Sequence, residues 1–514
     1  MTMFQWFIFF LVIQVVHFIG TWKLYVKSGR KSWEAIVPIY NAIVLMKIIN
    51  RPTWWVILLF IPIINLLMFP VIWIETIRSF GKNSTIDSFL AVLTLGFYTY
   101  YINYLSDANY IENRGLQSRT ELGEWVSSIV FAIVAATLVH TYIMQPYTIP
   151  TSSLEKSLLV GDFLFVSKFH YGARTPMTTV AAPMVHDSLP LVKTKSYLKK
   201  PQLPYFRIPG FQDIKRNEIV VFNWPTDTVR FFRDQSNIHI DKPIDKKSNY
   251  VKRCVGIPGD SLEIKDGYIY INDERTQLPD RAKPQYFNTV TVKEGFNPNS
   301  LITRYGSTEL GGGNNGIYTV NLTDENAKKL KNNPYVASVI KDITPKGNFD
   351  ARIFPHSNQN SWSVDNYGPI YIPEEGKTVE LNTASLPFYK RIIKEYENNN
   401  LTINGDEIFI NGQLVTTYTF KQNYYWMMGD NRHNSEDARY WGYVPFDHVV
   451  GKPVFIWFSW DSNQQGLGNK IRWERVFTTV HGSGKPVSYL YYFLGALLLW
   501  FGYSSYKKRK NEES

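Results

Sequence analysis

Ser153 lies nine residues beyond Met144, where a long apolar run ends, in the segment Tyr147-Thr148-Ile149-Pro150-Thr151-Ser152-Ser153-Leu154. A lysine, Lys252, follows in Tyr250-Val251-Lys252-Arg253. A serine hydroxyl is a poor nucleophile at neutral pH and needs a base beside it, which is either a histidine or a lysine kept neutral. Lysine serves only where burial lowers its pKa, because desolvation penalises the ammonium form. A hydroxyl just outside a membrane and an amine able to take its proton suggest a membrane-anchored serine hydrolase.

Lys252 belongs to a strand-like run that ends in the turn Pro258-Gly259-Asp260. Alternation along a strand points Lys252 away from Val251 and Arg253, so Lys252 can enter an apolar interior while Arg253 stays solvated. Ser152 offers a second hydroxyl one residue early; the reading favours Ser153. Ser153-Leu154-Glu155-Lys156 also fits a Ser-x-x-Lys pattern, but the Lys-Thr-Gly element that accompanies it elsewhere is absent. The nine histidines are scattered, no His-Glu-x-x-His occurs, and Cys254 is the single cysteine, so neither a metal, nor a cofactor, nor a disulfide framework is expected. The patch Gly311 to Gly316 has no Gly-Lys-Ser/Thr after it and reads as a flexible turn.

These groups need elements to hold them. Apolar runs at 3–21, 54–77, 87–105, 125–144 and 487–504 each approach the roughly 20 residues that cross a hydrocarbon layer. The first lacks the basic leader and the cleavage site of a secretory signal and reads as a retained anchor. Lys23, Lys27, Arg30 and Lys31 after the first run, and Lys507, Lys508, Arg509 and Lys510 after the last, assign both segments to the cytoplasm. With 35–49 along the interface, four crossings carry residues 145–486 to the outer side. This takes the N-terminus as outside; a crossing by 35–49 is one alternative, and a re-entrant hairpin in the second span at Pro62 and Pro70 is another.

The middle of the chain is built differently. Short strand-like runs, such as Glu218 to Phe222, Ser261 to Ile264 and Ile408 to Ile410, dominate 160–480, and Asp266-Gly267 and Asn411-Gly412 carry the chemistry of tight hairpin turns. A more polar stretch with helical composition at 324–332 and 387–399 interrupts them. The formal net charge of +11 is spread among acidic residues, which argues against nucleic acid as a partner. The expected architecture is a mainly β catalytic domain with an inserted α+β subdomain, anchored by several transmembrane α-helices. Its parts are a multi-span region at 1–124, a helix at 125–144, a β core at 145–275 and 400–480, an insert at 276–399, a last helix at 487–504 and a basic tail at 505–514.

Three segments together resemble bacterial type I signal peptidase (leader peptidase), the Ser/Lys protease family that removes signal peptides from exported proteins. They are Ile149 to Leu154 with Leu159 to Lys168, Tyr250 to Arg253 through Gly259-Asp260, and Met427-Met428-Gly429-Asp430-Asn431-Arg432-His433-Asn434-Ser435-Glu436-Asp437-Ala438-Arg439 with Val444-Pro445 after it. The resemblance covers roughly 125–275 and 400–480. It does not extend to the multi-span region, the insert or the last helix.

The resemblance implies a signal-peptidase-like β fold, with Ser153 as nucleophile and Lys252 as general base. It makes Thr151, together with the N–H of Ser153, the oxyanion donor, in a place where serine is commoner. It makes Ser435 the hydroxyl that orients the lysine, and Asp437 and Arg439 a supporting ion pair, with Asp430 also in support. His433 stands where an acidic residue is usual; a Ser–His reading finds no spaced acid partner for it. The implied partners are signal-peptide-bearing precursors and membrane lipid, at a bacterial inner membrane with the catalytic domain outside. A catalytically inactive scaffold of the same descent is the alternative, which loss of Ser153 or Lys252 would have favoured.

Overall fold

The computed structural model describes residues 2–117, 120–190, 192, 194–229 and 238–512. Contacts divide the chain into two units: Met1–Ile143 with Ala173–Ile208 and Thr228–Lys247, and Met144–Gly172 with Pro209–Asp227 and Ser248–Ser514.

In the first unit, the helix Met3–Lys27 opens with a capping box in which Thr2 and Gln5 each accept the other's backbone N–H. Glu121–Leu138 starts at the cap Thr120 and runs on through a wider turn to Ile143. Among the described residues these two, Met3–Lys27 and Glu121–Ile143, are the helices long and apolar enough to cross a membrane. The C-terminal helix Leu490–Glu512 has the length but falls outside that class, because tyrosines and serines dilute its leucines.

The run 54–77 takes the hairpin alternative expected at its prolines, and the run 87–105 differs from the continuous span expected of it. The first breaks into Trp55–Leu58 and Ile64–Ser79 at a turn containing Pro62 and the left-handed Ile63, whose φ is 70°. Arg51 Nε lies 3.0 Å from Glu75 Oε2, so the chain comes back to where it started. A crossing would separate those two groups by about 30 Å. The second run breaks into Thr85–Leu93 and Tyr98–Tyr104 at Leu95 and Gly96, with φ of 49° and 86°. Its base is closed by Ile111 N donating to Ser79 O at 2.9 Å. A nine-residue helix covers about 14 Å, half the layer.

The second unit is organised by one antiparallel sheet. Its strand order is Met144–Thr148, Asp162–Ser167, Val449–Ser459, Ile219–Asn223, Asn249–Gly256, Tyr424–Met428 and Val444–Pro445, and Thr478–Thr479 adds to Val449–Ser459. Both faces of the central strands are covered. Val220 and Phe222 face a core with Cys254, Trp426 and Met427, whereas Ile219 and Val221 face another with Leu164, Val166 and Ile456. That is the period of two expected of a strand, with apolar neighbours on each side.

Both turns expected from Asp-Gly and Asn-Gly are present. Asp266 and Gly267 (φ 50° and 82°) join Ser261–Lys265 to Tyr268–Ile271, and Asn411 and Gly412 (φ 53° and 84°) join Glu407–Ile410 to Gln413–Leu414. Within 276–399 a four-stranded sheet, ordered Val336–Lys341, Gln285–Val292, Ile317–Thr323 and Leu310–Gly312, packs with the helix Asp324–Lys331 around Val290, Leu301, Val320 and Leu330. Thr323 caps that helix by accepting from Asn326 N at 3.2 Å.

Candidate active site

After the strand Met144–Thr148 the chain enters a single tight turn, Ser152–Leu154. Ser153 lies in it, 9% exposed, and Lys252 lies mid-strand in Asn249–Gly256, 4% exposed and in register with Val220. Lys252 Nζ donates to Ser153 Oγ at 2.6 Å. Burial pulls the ammonium group down to about 8, and the carboxylates of Asp437 and then Glu436 push back against that shift. An amine whose hold on its proton is weakened by burial therefore touches a hydroxyl shielded from water.

The loop after Tyr424–Met428 closes around this pair. Asn431 N donates to Ser153 O at 3.0 Å. Gly429 has no alternative: a Cβ there would stand 2.5 Å from Ser153 O and collide with Ser435 Oγ. Arg253 clamps Asp430 from two sides, Nε to Oδ1 at 2.8 Å and Nη2 to Oδ2 at 2.5 Å, and Ser157 Oγ donates to the same carboxylate at 2.5 Å. Burial would raise the Asp430 carboxyl, but the charge and bonds of Arg253 outweigh it and hold it below the usual range. Further along, Arg439 pairs with Asp437 through two bonds of 2.9 Å and reaches Arg432 O at 2.6 Å. Asp437 in turn accepts from Gly429 N at 3.0 Å. Burial also disfavours the Asp437 anion, and the Arg439 charge reverses that.

Ser153 and Lys252 are thus brought together, and Asp430, Asp437 and Arg439 form buried ion pairs in the loop behind them. Thr151 sits exposed at the mouth of the turn. Ser435 lies beside Gly429, yet its hydroxyl is buried and makes no hydrogen bond among the described residues, so the lysine-orienting bond is not formed here. Two expectations change. Arg253, expected to be solvated, is 2% exposed, because both faces of its central strand are covered and Asp430 supplies the matching charge. His433 does have an acid partner: its Nε2 lies 2.8 Å from Asp365 Oδ1, and its Nδ1 accepts from Phe287 N at 3.0 Å. Both ring nitrogens are engaged in bracing, with none left to serve as a base. Among the described residues no group of three or more His, Cys, Asp or Glu is arranged to hold a metal.

The sequence reasoning missed Glu309. Its Oε1 accepts from Asn431 Nδ2 at 2.9 Å and Asn434 Nδ2 at 2.6 Å, on the loop that closes around Ser153. Only its place at the entry to a short strand marks it, and that signal is not specific.

A mainly β core holding a hydroxyl against a buried amine defines a class of serine hydrolase, and comparison with known proteins narrows it. The family described as signal peptidase, peptidase S26, matches residues 122–317 and 372–460. The chain belongs to that family, and is thereby a serine endopeptidase. It is 26% identical to signal peptidase I of Buchnera aphidicola subsp. Acyrthosiphon pisum (strain APS) over 410 residues, 76% of this chain and 97% of the relative. It is 24% identical to signal peptidase I of Rickettsia massiliae (strain Mtu5) over 383 residues, 71% of this chain and 96% of the relative. Residues 33–113 match a different family, one of unknown function (DUF5684).

Proposed function

We propose that this protein is a membrane-bound endopeptidase that cuts signal peptides from exported precursors through a Ser153/Lys252 dyad and an acyl-enzyme. The observation that carries this reading is the 2.6 Å bond from Lys252 Nζ to Ser153 Oγ within a buried pocket. Neutral Lys252 takes the proton as Ser153 Oγ attacks the scissile carbonyl. The N–H of Ser153 and the hydroxyl of Thr151 then meet the oxyanion; the first N–H groups of a helical turn have no acceptor within it. Lys252 next passes its proton to the leaving amine and takes one from the water that releases the acyl group. Family kinship supports small residues before the cut.

For the membrane, we read Met3–Lys27 and Glu121–Ile143 as the two crossings that precede the catalytic unit. The basic residues after the first run put its end in the cytoplasm. The two broken runs return to their own bases, so the second crossing carries the chain outward. The chemistry then works at the outer surface of a bacterial inner membrane, on precursors delivered there, with lipid at the boundary.

The test is cleavage of a purified precursor with an Ala-x-Ala cut site by full-length protein in detergent. Ser153→Ala and Lys252→Ala each abolish cleavage, while in cells both variants still fractionate with the membrane. Cleavage retained by Lys252→Ala points to another base and ends this reading.

A further inference from the structure

Glu309 lies 157 residues from Ser152, immediately before the edge strand Leu310–Gly312. Its carboxylate nevertheless ends against the serine-bearing turn. Besides its bonds to Asn431 and Asn434, Oε1 lies 3.5 Å from Ser152 Oγ, and Asn434 Nδ2 stands 3.3 Å from that hydroxyl. The segment that presents it is fixed in turn. Asn321 Oδ1 accepts from the N–H groups of Thr308 and Glu309, both at 2.9 Å, and Asn321 Nδ2 reaches Gln285 Oε1 at 3.1 Å.

Asn431 is the intermediary. Its Nδ2 donates both to Glu309 Oε1 at 2.9 Å and to Ser152 O at 3.3 Å, while its backbone N holds Ser153 O at 3.0 Å. An asparagine amide presents an acceptor at one end and donors at the other, whereas an ionised carboxylate only accepts. Glu309 therefore selects the orientation that turns the NH2 end toward Ser152 O. The C=O of Ser152 and the N–H of Ser153 belong to one rigid peptide plane and point in opposite directions. Holding that oxygen aims that N–H. Glu155 N grips the same oxygen from within the turn at 2.9 Å, and Asn431 grips it from outside.

We infer that Glu309 is a positioning residue for acyl transfer: through Asn431 it fixes the Ser152–Ser153 peptide plane and so directs the Ser153 N–H at the developing oxyanion. The inference rests on Ser153 being the nucleophile. Glu309 touches no reacting atom, and through Asn431 it ties residues 285–323 to the geometry of a turn far away in sequence. Because the oxyanion exists only beyond the ground state, the effect falls on kcat and not on KM.

The experiment uses the full-length protein in detergent and the same Ala-x-Ala precursor. Glu309→Ala lowers kcat by about tenfold, less than the ~10²–10³ for outright loss of an oxyanion donor. KM and the acid limb of the pH profile stay where they are. Glu309→Gln, which keeps the acceptor, recovers most of kcat. A wild-type kcat in Glu309→Ala overturns the inference. So does a raised KM, which indicates direct substrate contact, or a displaced acid limb, which indicates an effect on Lys252. If Glu309→Ala does not fold, Glu309→Asp, whose acceptor is drawn back by about 1.5 Å, carries the same readouts. Ser153→Ala run in parallel separates the two claims. Cleavage surviving that change removes the nucleophile assignment itself, whereas an inactive Ser153→Ala beside an unaffected Glu309→Ala removes the positioning role alone.

Discussion

Two neighbouring cations on one strand are buried almost alike and treated in opposite ways. Arg253, 2% exposed, meets the carboxylate of Asp430, and Lys252, 4% exposed, meets the hydroxyl of Ser153 and, among the described residues, no carboxylate at bonding distance. On the arginine side, two bonds and a full countercharge offset the loss of water, and the result holds the loop 429–431 against the sheet. On the lysine side, the carboxylates of Asp437 and Glu436 act from beyond bonding distance, burial prevails, and the amine is pulled down to about 8. Burial alone therefore does not make a base; burial with the countercharge kept at a distance does.

The largest way to break that contrast is to make the two positions alike. Lys252→Arg installs a guanidinium, which does not give up its proton, and cleavage should fall to the level of Ser153→Ala in a precursor assay even though a cation remains. Asp430→Asn does the converse and strands Arg253; losing one partner of a buried pair costs about 3–5 kcal/mol, readable by chemical denaturation. Gly429→Ala drives a methyl at Ser153 O and Ser435 Oγ, and overpacking of this kind costs about 1–3 kcal/mol, with a matching drop in kcat. The smallest effect sharpens the comparison. Activity should rise with pH along a limb centred at about 8, where Lys252 loses its proton. The Glu436 carboxylate favours the ammonium form, so Glu436→Gln should move that limb to lower pH, and a limb that stays or moves up would contradict the electrostatic account.

The glycine turns at 267 and 412 declare themselves over a few residues, whereas Lys252 alone reads as an ordinary strand lysine and stands out with Ser153 only when the three motif segments are taken together. What was hidden depends on partners far off in the chain. Arg253 looked solvated because nothing near it shows Asp430, 177 residues away. His433 looked partnerless because Asp365 is 68 residues upstream. Glu309 was silent for the same reason. The runs at 54–77 and 87–105 differ for another cause: hydropathy records how much apolar surface a segment has, not whether its ends stay apart; Pro62 marks the break in the first as the hairpin alternative, while nothing in the sequence marks the Ser79–Ile111 contact that closes the second.

Those two closed loops have a consequence for how such a chain can be remodelled. A segment that leaves and rejoins the same level adds apolar bulk without reversing the sidedness of anything downstream. On the proposed topology, excising 52–74 or 84–105 as a block leaves the sidedness of everything downstream unaltered, whereas removing Glu121–Ile143 removes the crossing that takes Ser153 outward.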